Sequence, residues 1–141
     1  MDIWLILQVF STFAMTGLIW LVQVVQYPLL GRVGQESFSA YHTGHMQRIT
    51  FVVGPFMLCE LFSAVMWLWT ASVEQSVQAQ AGILLLGAIW GSTTLIQVPL
   101  HETLQQDFTQ KRHRELVLTN WIRTIAWTAR SILLLWVLAG L

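Results

Sequence analysis

The stretch that decides the fold is residues 3–30, IWLILQVFSTFAMTGLIWLVQVVQYPLL, in which no side chain is charged. A hydrocarbon core about 30 Å thick needs roughly 20 apolar residues of helix, and this stretch exceeds that. Asp2 is the only charge before it, with no basic n-region and no small-residue cleavage site after it. It therefore reads as an uncleaved membrane-spanning helix rather than a signal peptide.

Three more stretches of the same kind come after it. Residues 49–69 hold one charge, Glu60; residues 80–100 hold none; residues 120–141 hold Arg123 and Arg130. With their polar extensions, the helices are expected over residues 3–30, 38–70, 79–106 and 114–140. The expected fold is all-α, a four-transmembrane-helix bundle running up-down-up-down as one domain over residues 1–141. Ser37 or Ser39 is expected to cap the second helix. Composition agrees: of 141 residues, 55% are hydrophobic and 10% charged, against about a quarter charged in a soluble domain. A net charge of zero gives no attraction to nucleic acid. Cys59 stands alone, so no disulfide forms within the chain.

The basic residues outside the spans are Arg32 and Arg48 at the first connection and Lys111, Arg112 and Arg114 at the third, while residues 70–79 contain only Glu74. The positive-inside rule then places connections one and three in the cytoplasm and both termini in the periplasm, across a cell inner membrane. Trp4, Trp67, Trp69 and Trp136 are expected at the outer interface and Trp121 at the inner one.

An internal echo is present. Gln26-Tyr27-Pro28-Leu29 closes the first helix and Gln97-Val98-Pro99-Leu100 closes the third, each followed by a polar segment with a phenylalanine, Phe38 or Phe108. Two readings stand: two parallel helical hairpins related by an axis along the membrane normal, or the ordinary placing of proline near helix ends.

Polar side chains in lipid usually face the bundle interior, and helical spacing groups them. Thr16, Trp20, Gln23 and Tyr27 form a stripe on the first helix, and Gly87, Trp90, Thr94, Gln97 and His101 on the third. His42, His45, Ile49, Phe56 and Glu60 share a sector of the second; Asn120, Arg123, Trp127 and Arg130 form a stripe on the fourth. Gly87 and Gly91 have the spacing of a close-packing motif. Glu60 and Arg130 both lie ~15–17 Å along their spans, so they are expected to pair, as a register lock in preference to a relay. The remaining polarity gathers toward the cytoplasmic end.

His42, His45 and His101 are the imidazoles there. They admit a transition metal (Zn, Cu or Fe), a haem, or direct acid–base work on an organic substrate. His113, among Lys111, Arg112 and Arg114, reads as a solvated loop residue. The expected catalytic set is His101, Asn120, Arg123 and Tyr27. Gln23, Gln97 and Trp127 are the expected cofactor-binding residues, with Trp20, Trp90 and Trp127 as apolar walls.

Two segments, Gln97-Val98-Pro99-Leu100-His101 and Thr119-Asn120-Trp121-Ile122-Arg123-Thr124, resemble a family of small bacterial four-helix membrane proteins without a settled function. They also resemble the anthrone-oxygenase-like membrane proteins, which carry a Val-Pro motif closing the third helix and an Asn-x-x-Arg-Thr motif in the fourth. The resemblance covers the second half of the chain best. It implies oxidation of a lipophilic aromatic substrate and points to Asn120 and Arg123. His101 departs from it, standing where a smaller polar residue such as asparagine is common.

The functional expectation is a redox enzyme, oxygenase- or oxidase-like, taking a lipophilic molecule from the inner leaflet. The alternatives are a small-solute or ion transporter, or an accessory subunit with a partner in a larger membrane complex or a second copy of itself. Crowded leucines in the outer half, such as Leu84–Leu86 and Leu133–Leu135, argue against a solute path.

Overall fold

A computed structural model describes residues 2–140. Four helices are each long and apolar enough to cross a membrane: α1 (Ile3–Leu30), α2 (Gln35–Thr70), α3 (Val73–Gln106) and α4 (Gln110–Leu138). They form an up-down-up-down bundle, with α1 against α2 and α4, and α3 against α4 and, most thinly, α2.

The helix starts differ from expectation for local reasons. Gly34, in extended conformation, precedes α2, and neither Ser37 nor Ser39 caps it. A 3-10 turn at Val73–Gln75 starts α3 earlier than residue 79. Thr109 caps α4, its hydroxyl accepting from the Arg112 amide at 3.3 Å, which draws Lys111, Arg112 and His113 into the first turns.

His113 is thus no loop residue. Its Nε2 reaches the Tyr27 carbonyl oxygen at 2.7 Å, and its ring lies beside Phe108 and over Gly31. A Cβ at Gly31 would sit 2.5 Å from the His113 ring. Gly31→Ala is therefore expected to push His113 off the end of α1 and to destabilise the fold by about 1–3 kcal/mol, checked by the unfolding midpoint in mixed micelles.

Two turns of π-helix interrupt the α-helical path, at Val22–Gln26 in α1 and Thr93–Gln97 in α3. Each ends two residues before a proline, Pro28 or Pro99. The sequence echo thus has a shared backbone form. The two echoed phenylalanines, Phe38 and Phe108, touch with ring centroids 4.6 Å apart. Glu60 and Arg130, in the second helix of each pair, also touch. Contacts between corresponding residues are compatible with two parallel hairpins related by a two-fold axis.

A π turn inserts one residue into the helical phase, and this explains where the stripes fail. On α1 the buried line runs Met15, Ile19, Val22 and Gln23, leaving Trp20 exposed against Trp121. On α3 Gln97 and His101 are buried, but Gly87 and Thr94 are exposed. Nothing lies within 4 Å of where a Cβ would stand on Gly87 or Gly91, so the two glycines make no close helix contact. On α2, Trp67 continues the buried line of Glu60, Ser63 and Ala64; it is core and not an interface anchor.

The core has two apolar layers. One lies around Met15, Ile19, Met57, Leu86 and Trp127; the other around Leu5, Trp67, Ala79 and Leu134. Between them is a polar layer to which every helix contributes. Glu60 Oε1 accepts from Arg130 Nε at 2.9 Å and from Thr12 Oγ1 at 2.7 Å, and Glu60 Oε2 accepts from Trp127 Nε1 at 3.0 Å. Arg130 also donates to Gln8 Oε1 at 2.6 Å and to the Gly82 carbonyl. Gln8 in turn donates to Ser63 Oγ at 2.7 Å. Each charge has several partners on other helices, as a register lock requires.

Candidate functional site

The predicted residues converge at the end of the bundle where α1 turns into α2 and α3 into α4. The α4 stripe places Asn120, Arg123 and Trp127 inward, all buried. On α1 and α3 the π turns aim Gln23, Tyr27, Gln97 and His101 inward. A cavity of about 220 Å³ lies among them. Tyr27, Gln97, His101 and Arg123 supply its polar wall, and apolar residues such as Met15, Ile19, Met57 and Trp127 supply the rest. Thr50 and Val98, both lining residues, are exposed on the bundle surface at the thin α2–α3 seam.

Behind the polar wall runs a chain of hydrogen bonds. Arg123 NH2 donates to the Tyr27 hydroxyl oxygen at 3.2 Å. The Tyr27 hydroxyl meets His101 Nε2 at 2.8 Å, and His101 Nδ1 meets His42 Nε2 at 3.0 Å. His42 is fully buried and stacked on Phe38, and its Nδ1 has no partner. In the His42–His101 contact one of the two ring nitrogens must be an acceptor, so these imidazoles cannot both be doubly protonated. The chain has two proton arrangements. In one, Tyr27 donates to His101 and His101 to His42; in the other, both donations reverse.

Asn120 and Gln23 hold Arg123 in place. Arg123 Nε donates to Asn120 Oδ1 at 2.9 Å, Asn120 Nδ2 donates to Gln23 Oε1 at 2.8 Å, and Gln23 Nε2 donates to the Val117 carbonyl at 3.0 Å. Neither Asn120 nor Gln23 lines the cavity. No carboxylate pairs with Arg123 among the described residues, whose two ion pairs are Glu60–Arg130 and Asp107–Arg112. A guanidinium at a mostly apolar cavity wall without a counter-ion is costly, and an anionic or strongly accepting oxygen would complete it.

Gln97 offers a complementary group. Thr119 Oγ1 donates to the Glu115 carbonyl at 2.7 Å, so it accepts from Gln97 Nε2 at 3.0 Å. This fixes the amide and leaves Gln97 Oε1 buried and unpartnered, free to accept a hydrogen bond from a ligand.

The three histidines do not converge as a metal site. His45 Nδ1 is bonded to Gln26 Nε2 at 2.8 Å, apart from the His42–His101 pair. Among the described residues no group of three His, Cys, Asp or Glu side chains is arranged to hold a metal ion. His42 Nε2 and His101 Nδ1 are in direct contact at 3.0 Å. Of the proposed tryptophan walls, only Trp127 lines the cavity; Trp20 is exposed, bonded to Thr128 at 3.0 Å, and Trp90 stands outside the lining.

Sequence reasoning missed Thr93, whose hydroxyl faces Arg123 NH1 at 3.4 Å, and the methionines of the apolar wall. The π turn that brings Thr93 inward has no signal in residue spacing beyond the nearby proline. Comparison of the chain with protein-family models, curated proteins and solved structures gave no match.

Proposed function

We propose that the chain is an inner-membrane redox enzyme, oxygenase- or oxidase-like, that deprotonates and oxidises a lipophilic phenol, hydroquinone or enol drawn from the bilayer. The observation that carries this reading is Arg123, a buried cation without a carboxylate, on the wall of an apolar cavity and bonded to a Tyr–His–His chain. The Val-Pro and Asn-x-x-Arg-Thr segments support it through their resemblance to the anthrone-oxygenase-like proteins. Basic residues at connections one and three support a cytoplasmic placing of the site.

In this reading the substrate oxygen lies against Arg123, and a neighbouring donor of the substrate meets Gln97 Oε1. The substrate proton passes to the Tyr27 oxygen as the Tyr27 proton passes to His101 Nε2. The His101 Nδ1 proton then moves to His42 Nε2, and a proton leaves from His42 Nδ1. Arg123 stabilises the oxyanion that results. Dioxygen takes the electrons. An enolisable CH2 group becomes a carbonyl with release of water, or a hydroquinone becomes a quinone with release of hydrogen peroxide.

The outer half gives little support to a transporter. The polar layer around Glu60 is closed by its own hydrogen bonds, and the gap beside Arg130, Trp67 and Leu134 has no room for a water molecule.

Dioxygen uptake by the nanodisc-embedded protein tests the proposal on a panel of lipophilic phenols, hydroquinones and enolisable ketones. Saturable uptake is expected with at least one class. Tyr27→Phe and His101→Gln should lower it about 100-fold or more, as loss of a general base does. A folded protein inert toward the whole panel would count against the assignment.

A further inference from the structure

A second depression lies on the outer flank of α2, at the level of the polar site. It is a surface groove of about 420 Å³, lined by Gln26, Tyr41, Gly44, His45, Arg48 and Val52, among others. Its wall is amphipathic. Ile49 and Val52 offer hydrocarbon, while Arg48, Tyr41, Gln26 and His45 offer one charge and several hydrogen-bonding groups.

His45 and Ile49 line both this groove and the inner cavity. One layer of side chains therefore divides the two spaces. The polar member of that layer is held by a single side-chain contact, His45 Nδ1 to Gln26 Nε2 at 2.8 Å. Neither residue is fully buried. Gln26 is also the last residue of the π turn Val22–Gln26. A π turn holds one residue more than the α-helical path, and its return to α-helix rotates the downstream turns by about one residue, roughly 100°.

We propose that the groove is a vestibule to the inner cavity and that the Gln26–His45 pair is its closed gate. The ligand class it admits is an acidic amphiphile, with an ionisable oxygen head that Arg48 attracts and a hydrocarbon body that slides over Ile49 and Val52. The seam at Thr50 and Val98 offers hydrocarbon and a hydroxyl but no charge, so it has nothing to attract an anionic head. The gate rests on the reading of the inner cavity as a ligand site. Its test reads access alone, without turnover, so failure of the gate and failure of the enzyme assignment are separate results.

The experiment places a reporter thiol in the cavity. Cys59→Ala removes the native cysteine, and Val53→Cys, or Met57→Cys where the first does not fold, supplies the reporter; both positions line the cavity. The full-length protein in nanodiscs is treated with the anionic reagent methanethiosulfonate ethylsulfonate, and the modification rate is followed by mass spectrometry. Gln26→Ala and His45→Ala are expected to raise the rate about fivefold to tenfold, the factor one hydrogen bond is worth. His45→Trp, which fills the doorway, is expected to lower it below the starting protein. The thermal midpoint of each variant confirms folding. A rate unchanged in both folded alanine variants would overturn the proposal. So would Val98→Trp slowing the anionic reagent as much as His45→Trp, since that places the entrance at the α2–α3 seam.

Discussion

Glu60→Ala is expected to lose about 3–5 kcal/mol of stability, the cost of leaving a buried guanidinium without its carboxylate. The substitution removes the acceptor of three donors on two other helices, from Thr12, Trp127 and Arg130. Arg130 keeps Gln8 and the Gly82 carbonyl, which solvate the charge in part but do not neutralise it. The double variant Glu60→Leu with Arg130→Leu is expected to recover much of the loss, because two apolar side chains need no partner in this layer. Unfolding in mixed micelles, followed by tryptophan fluorescence, measures both. A Glu60→Ala midpoint equal to the starting protein would mean that the polar layer does not set helix register. Trp127 carries the consequence to the site: it bonds Glu60 and also lines the cavity. Loosening the lock should therefore disturb the cavity as well as the fold.

Arg123→Gln is expected to give the opposite pattern, a large functional loss with no loss of stability. The glutamine amide can still donate to Asn120 or Tyr27, while the desolvated charge is gone. Thermal stability is expected to hold or to rise, as when a functional site is relieved of a costly group. Substrate-dependent oxygen uptake is expected to fall about 100-fold or more, because the oxyanion loses its charged donor in a largely apolar cavity. Arg123→Lys should recover only part of it, since an ammonium lacks the planar fork that reaches Asn120 and Tyr27 together. If Arg123→Gln unfolds the protein as Glu60→Ala does, Arg123 belongs to the scaffold and not to a ligand site.

The two arginines show how much was legible in the sequence. The α4 stripe of Asn120, Arg123, Trp127 and Arg130 is buried as spacing predicts, because α4 is uninterrupted α-helix. The Glu60–Arg130 pair is predictable from depth, a quantity that rise per residue delivers directly. The stripes of α1 and α3 were legible only in part. Their π turns shift the phase near Pro28 and Pro99, so that Trp20 and Thr94 face outward while Gln97 and His101 face in. Trp67 departs from the interfacial expectation because packing in the buried line of Glu60 and Ala64 outweighs interfacial preference. The histidines do gather at one end of the bundle, as the helix lengths imply. Spacing along one helix could not tell that His45 would turn to Gln26 while His42 turned to His101.

The most direct test of the central claim is equilibrium binding of one lipophilic phenol, measured below and above the phenol's own pKa, to the nanodisc-embedded protein and to Arg123→Gln. Tighter binding of the ionised phenol, with that preference abolished in Arg123→Gln, is the predicted result. An affinity indifferent both to the ligand's charge and to Arg123 would contradict the account.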